Sequence, residues 1–230
     1  MSSFPFDAVL FDCDGVLVDS EPITMRVLAR MLGELGWNIS LDETMEIFKG
    51  KAVRDEASLI QTRTGFSLTQ DWLASFWARR NAALEEELVA IPGACPAVGT
   101  LHEMLGGRIA VASGADRRKV ELQLAKVGLL DYFAGRIFSG HETPRSKPYP
   151  DVYLAAAGAL GIAPARCAVV EDTVTGAAAG VAAGATVFGY SPGGPDHSDA
   201  DSLREVGVAQ VFHDMNDLPG VLANGAGAQR

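Results

Sequence analysis

The sequence predicts an α/β fold: a doubly wound parallel sheet interrupted early by a helical insertion. Three observations carry that expectation. Short, wholly apolar runs occur at Ala8-Val9-Leu10-Phe11, Ile109-Ala110-Val111-Ala112 and Cys167-Ala168-Val169-Val170, as in strands buried on both faces. Helically spaced stretches separate the later runs, and parallel strands need such crossovers. Between about Ser20 and Ile91 the alternation lapses into helical segments with no convincing strand.

In chain order, the first strand runs straight into Asp12-Cys13-Asp14-Gly15. Pro22 suits the first turn of a helix, Trp72 and Phe76 fall at i and i+4, and Glu85 to Leu88 continue a charged helical face. Trp72 and Trp77 read as packing inside the insertion, and Pro92-Gly93 marks the return to the core. The expected division is therefore a core of residues 1–19 and 92–230 with a helical cap of residues 20–91. The second strand follows, then a helix from Arg117 to Val127 closed by Gly128, a short strand at Arg136 to Phe138, and a helix from Val152 to Leu160 closed by Gly161. After the third strand, Gly176, Gly180 and Gly184 form a small-residue series too short to span a membrane, which reads as a helix packed closely on a sheet. Ala185 to Phe188 and Val208 to Phe212 add two strands. Ser191 to Asp199 has loop chemistry, and Asn224 to Arg230 reads as a frayed tail.

Composition narrows the class. Of 230 residues, 48% are hydrophobic and 21% charged, which suits a folded globular chain. Nineteen basic against 29 acidic residues give a formal charge of −10, which argues against a nucleic-acid binder. Cys13, Cys95 and Cys167 contain no CxxC pair, so neither a disulfide framework nor a thiolate zinc site is indicated. The start of the chain lacks a basic segment followed by an apolar one, and no apolar run approaches roughly 18 residues. A soluble cytoplasmic protein is expected, as a monomer or weak homodimer.

The chemistry gathers at strand ends: Asp12 to Gly15 after the first, Ser113-Gly114 after the second, Glu171-Asp172 after the third. In a parallel sheet these ends share one edge, where open α/β sheets place ligands. Asp12 and Asp14 are expected to project to one side, with Cys13 pointing away. Four carboxylates brought together repel one another unless a proton or cation neutralises them. Oxygen ligands without His or Cys favour a hard ion, and few carboxylates plus a substrate phosphate suit Mg²⁺. Lys147 would offer a fixed cation to transferring oxygens, and Ser113 a hydrogen bond. Each residue alone has a plainer reading: solvated acids for the Asp pair, a helix N-cap for Ser113, a surface lysine for Lys147, and helix-start charge for Glu171-Asp172. His102, His141, His197 and His213 lack metal or triad spacing and read as surface or core residues. Phe48-Lys49-Gly50-Lys51-Ala52-Val53-Arg54 holds three bases and no acid, which reads equally as a clamp for the far end of an anionic substrate and as a solvated face.

Taken together, Phe11 to Glu21, Val111 to Gly114, Ser146 to Pro150 and Val169 to Thr173 resemble, in order and spacing, the motif set of the haloacid dehalogenase-like (HAD) phosphatases with a helical cap. The resemblance covers nearly the whole chain. It implies that Asp12 attacks phosphorus to form an aspartyl-phosphate, while Asp14 protonates the leaving oxygen and later activates water. Ser113 and Lys147 complete the catalytic set. Mg²⁺ would be held by Asp12, the Asp14 backbone carbonyl and Asp172, with Glu171 assisting directly or through water. Glu21 and Arg54 are the specificity candidates, Lys51 stands beside them, and Gly114 joins the substrate-binding set. The presence of Asp14 disfavours dehalogenation, which needs no such acid, and residues 21–26 lack the histidine of the β-phosphoglucomutase subgroup. The implied partner is a small phosphate monoester, a sugar or sugar-acid phosphate such as 6-phosphogluconate, with phosphoglycolate hydrolysis or β-phosphoglucomutase-like phosphoryl transfer as the alternatives. Neither nucleic acid nor membrane is expected as a partner, and a catalytically silent binding protein is the reading from another class.

Overall fold

A computed structural model describes residues 4–48, 51–194 and 197–225. The chain forms two compact units, Met1–Asp19 with Val89–Arg230, and Ser20–Leu88. In order, the elements are β1 (Ala8–Phe11), α1 (Glu21–Glu34), α2 (Leu41–Phe48), α3 (Ala57–Thr64), α4 (Gln70–Glu87), α5 (Ala94–Met104), β2 (Ile109–Ser113), α6 (Arg117–Lys126), β3 (Ile137–Ser139), α7 (Asp151–Ala159), β4 (Cys167–Glu171), α8 (Val174–Ala182), β5 (Thr186–Tyr190), α9 (Ala200–Glu205), β6 (Gln210–Phe212) and α10 (Leu218–Asn224). The second unit closes at Leu88 rather than Ile91 because the next residues pair with the first unit. Val89 accepts a backbone hydrogen bond from Asp19, Ala90 bridges Val18, and Ile91 donates to Leu17.

The larger unit holds a six-stranded sheet of order β3-β2-β1-β4-β5-β6, and every neighbouring pair is parallel. The chain winds outward from β1 through β2 to β3, then returns to the other side for β4, β5 and β6. The reversal puts the switch point between β1 and β4, where such sheets form a crevice at their carboxyl ends. Both strand faces are covered. Ala8, Leu10, Ala110, Ala112 and Val169 pack with Val152, Tyr153 and Ala156 of α7 and Ala177 of α8, and the alternate residues Val9, Phe11, Val111, Ala168 and Val170 are equally buried. Small residues on β2 and α7 let helix and sheet approach closely. β5 extends to Tyr190, beyond the expected end at Phe188. Gly189 continues the ladder opposite Glu171, and a Cβ there would sit 3.1 Å from both Leu203 and Val208.

The three glycines of the α8 region have separate reasons, not one. Gly180 lies against the sheet, where a Cβ would come within 2.8 Å of Val187. Gly176 faces the Glu171 carboxylate, and Gly184 follows the helix in open space.

In the smaller unit, α1, α2, α3 and α4 bury Met25, Leu28, Met31, Leu32, Met45, Phe48, Ile60 and Phe76 together. Pro22 stands in the first turn of α1, and Trp72 stacks on Phe76 with ring centroids 6.1 Å apart. Trp77, expected to pack, is instead 38% exposed, because one step along a helix turns a side chain roughly 100° from the buried stripe. No helix among the described residues is long and apolar enough to cross a membrane.

Candidate active site

β1 and β4 pair in register from Ala8↔Cys167 to Phe11↔Val170, so the residues that follow each strand emerge side by side. Among the described residues, Asp12, Glu171 and Asp172 form a buried group able to hold a metal ion, each offering a carboxylate oxygen within 4.8 Å of the others. Lys147 reaches in from the segment before α7. Its ammonium donates to Asp12 Oδ1 and Glu171 Oε1, both at 2.6 Å, and lies 4.8 Å from the centre of the Tyr153 ring. Burial alone disfavours this ammonium, but the Asp12 and Glu171 charges override it and hold Lys147 well above the usual lysine range. Burial pushes the Asp12 carboxyl from its ordinary 3.8 up to about 7, against the pull of Lys147 and with repulsion from Glu171 and Asp14 added.

Glu171 is held from every side. Oε1 also accepts from the Tyr153 hydroxyl at 2.8 Å, while Oε2 accepts from the Asp172 and Thr173 amides and the Thr173 hydroxyl. A Cβ on Gly176 would lie 1.7 Å from Glu171 Oε1, so only glycine leaves room for this carboxylate at the start of α8. Gly15 has the matching role beside Asp172. Its φ is +77° and a Cβ would fall 2.3 Å from Asp172 Oδ2, which brings the backbone of the first turn directly against the second acid.

The segment after β1 turns too soon to stay extended, and the expectation that Cys13 points away from Asp14 fails. Both meet Gln123 of α6: Cys13 Sγ lies 3.5 Å from Gln123 Oε1, and Gln123 Nε2 donates to Asp14 Oδ1 at 2.7 Å. Lys119, one turn earlier, donates to the same oxygen at 2.8 Å. The Asp14 carboxylate is thus fastened to α6 and stands outside the three-acid metal group. Lys119 and Gln123 were not legible as site residues. Their i, i+4 spacing was visible, but Arg117-Arg118-Lys119 reads as a solvated basic turn until packing shows which residue points inward.

Ser113 ends β2 and is buried. It does not cap α6, since Asp116 accepts from the Lys119 amide in that role. Instead Ser113 Oγ accepts from the Ala115 amide at 3.0 Å, and its own hydrogen remains for donation. Gly114 carries no close neighbour at its Cβ position. From the loop after β5, the His197 ring bonds the Gly15 carbonyl at 3.1 Å and the Ser198 amide donates to the Asp172 carbonyl at 3.2 Å. This histidine fastens the turn, a role its spacing did not announce.

Glu21, Lys51 and Arg54 belong to the smaller unit. Glu21 opens α1. Lys51 and Arg54 have side chains 51% and 59% exposed and pair with Glu56 and Asp55, acids that follow directly on the basic run. Lys49 and Gly50 lie outside the described residues. Local pairing therefore supports the solvated-face reading of this stretch.

The donor set fits a hard divalent cation. It is all oxygen and buried, and its three carboxylates meet the one ammonium of Lys147, which leaves negative charge in excess. A cation held there could neutralise an anionic group and place it beside the Asp12 carboxylate.

A family model described as haloacid dehalogenase-like hydrolase matches residues 6–184. The chain is 33% identical to 6-phosphogluconate phosphatase of Escherichia coli over 183 residues, covering 79% of this chain and 81% of that protein. It is 32% identical to hexitol phosphatase B of the same organism, over 76% of this chain and 79% of that one. A HAD family hydrolase from Deinococcus radiodurans, solved with bound phosphate and sodium, superposes with a TM-score of 0.78 at 37% identity and covers 97% of both chains. With its parallel sheet, acid cluster and family match, the chain belongs to the haloacid dehalogenase-like hydrolases.

Proposed function

We propose that this hydrolase is a Mg²⁺-dependent phosphatase acting on small open-chain sugar or sugar-acid phosphates, with 6-phosphogluconate the first candidate. The observation that carries the reading is the buried Asp12 carboxylate, paired to Lys147 and set beside Asp172 at the sheet's switch point. Asp12 attacks phosphorus, the ester P–O bond breaks, and the departing oxygen takes a proton from Asp14. Water then attacks the aspartyl-phosphate as Asp14 removes its proton, the bond to Asp12 breaks, and inorganic phosphate leaves. Ser113 donates to a phosphoryl oxygen, and Lys147 pulls the nucleophile toward its ionised form against the effect of burial.

Asp12, Asp172 and the Asp14 backbone carbonyl are the residues that would hold Mg²⁺. Glu171 is better placed to act through water, because five donors already engage its two oxygens against about four lone-pair sites. When bound, the ion neutralises the phosphoryl oxygens so that two anions can approach.

Ion binding requires Asp12 ionised. An acid whose folded pKa lies above its unfolded value subtracts stability as pH rises through that window, here from 3.8 to about 7, and the cation offsets the loss. Calorimetric Mg²⁺ affinity is therefore expected to be about tenfold weaker at pH 6 than at pH 8, with a correspondingly smaller rise in Tm. Equal affinity at both pH values would remove this coupling.

The substrate class rests on two phosphatase relatives whose names specify six-carbon open-chain compounds. A panel of phosphorylated metabolites with Mg²⁺ tests it. We expect kcat/KM on 6-phosphogluconate or a hexitol phosphate to exceed that on phosphoglycolate and nucleotides by about tenfold or more. A preference for phosphoglycolate would transfer the assignment to that substrate.

A further inference from the structure

Two buried polar residues of α6 have no part in the chemistry above. Lys119 is 6% exposed and Gln123 fully buried, both at a cost that only a partner offsets. Both donate to the same atom, Asp14 Oδ1, at 2.8 and 2.7 Å. The donors are themselves aimed. Asp116 caps the Lys119 amide at 2.9 Å, fixing the first turn of α6, and the Cys13 thiol meets Gln123 Oε1, which turns the Gln123 amide nitrogen toward Asp14.

We propose that Lys119 and Gln123 are positioning residues that clamp Asp14 through Oδ1 and hold its carboxyl group in the orientation proton transfer needs. This rests on the reading of Asp14 as general acid and base. Asp14 gives its proton to the departing oxygen as the ester P–O bond breaks, and takes one from the attacking water in the second step. Two donors from successive turns of one helix also hold the carboxylate plane against rotation, which proton transfer needs more than substrate binding does.

The test is the leaving-group dependence of kcat/KM, which reports events up to cleavage of the ester bond. In Lys119→Met, kcat/KM on an alkyl phosphate, whose alkoxide needs a proton, is expected to fall about 10²- to 10³-fold. On 2,4-dinitrophenyl phosphate, whose phenolate leaves unprotonated, it is expected to change by no more than about threefold, since no proton is called for. Gln123→Leu removes one donor without a charge; it is expected to steepen the dependence in the same direction by a smaller factor, and it carries the test if Lys119→Met fails to fold. Equal losses on both substrates, or none on either, overturn the clamp. Asp14→Asn is the control for the underlying reading. A steep dependence there with none in the α6 variants defeats the positioning role alone, whereas no steepening in Asp14→Asn defeats the acid assignment and the clamp with it.

Discussion

Replacing Asp12 with Asn is expected to remove turnover of phosphate monoesters, with kcat lower by about 10⁴- to 10⁶-fold, the scale on which loss of a nucleophile is felt. The amide is the same shape and cannot attack phosphorus. The fold is expected to survive the change. Asp12 is buried, and that burial already pushes its carboxyl up to about 7, so a neutral amide sheds a desolvation cost while losing the Lys147 pair. A continuous assay with an aryl phosphate and Mg²⁺, alongside a thermal melt, separates chemistry from folding. The complementary variant is Asp14→Asn, in which an activated aryl phosphate is expected to leave a phosphoryl group stranded on Asp12, visible as a mass increase of the intact protein. Equal rates for wild type and Asp12→Asn would end the nucleophile assignment.

Lys147→Met is expected to be the most destabilising single change in the site. The ammonium bonds both Asp12 and Glu171 at 2.6 Å, and removing one partner of a buried pair typically costs about 3–5 kcal/mol because a charge is left uncompensated. At about 2–4 °C per kcal/mol for a chain of this size, the melting temperature falls by roughly 6–20 °C. The loss has a pH signature. Glu171 keeps its tyrosine, amide and hydroxyl donors, so Asp12 bears most of the change and its pKa rises further. Below that value Asp12 is protonated and needs no counter-charge. The destabilisation in EDTA should therefore be larger at pH 8 than at pH 6, and an equal drop at both would show that Lys147 acts through packing alone.

The strands and the acid edge were legible because their signals are local. A strand covered on both faces must be apolar at every position, and the acids that end such strands mark the carboxyl edge without knowledge of any partner. Lys147 was reached through its motif, since a lysine before a proline carries no spacing signal of its own. Lys119 and Gln123 gave no comparable sign. Both sit on a helix of mixed polarity, where periodicity cannot tell an inward polar group from a solvated one. The basic run ending at Arg54 shows the converse: two bases of a charge cluster visible in sequence, Lys51 and Arg54, are paired by Glu56 and Asp55 beside it.

By itself the sequence determined the α/β class, the helical insertion and the family, because hydrophobic period and strand-end residues are properties of neighbouring positions. Only the tertiary structure decided which donor meets which oxygen: Lys119 on Asp14 across 105 positions, and Lys147 on Asp12 across 135. Those pairings depend on how helices settle on a sheet to within a fraction of an ångström. That distance separates a hydrogen bond from a buried charge left alone, and no local pattern encodes it.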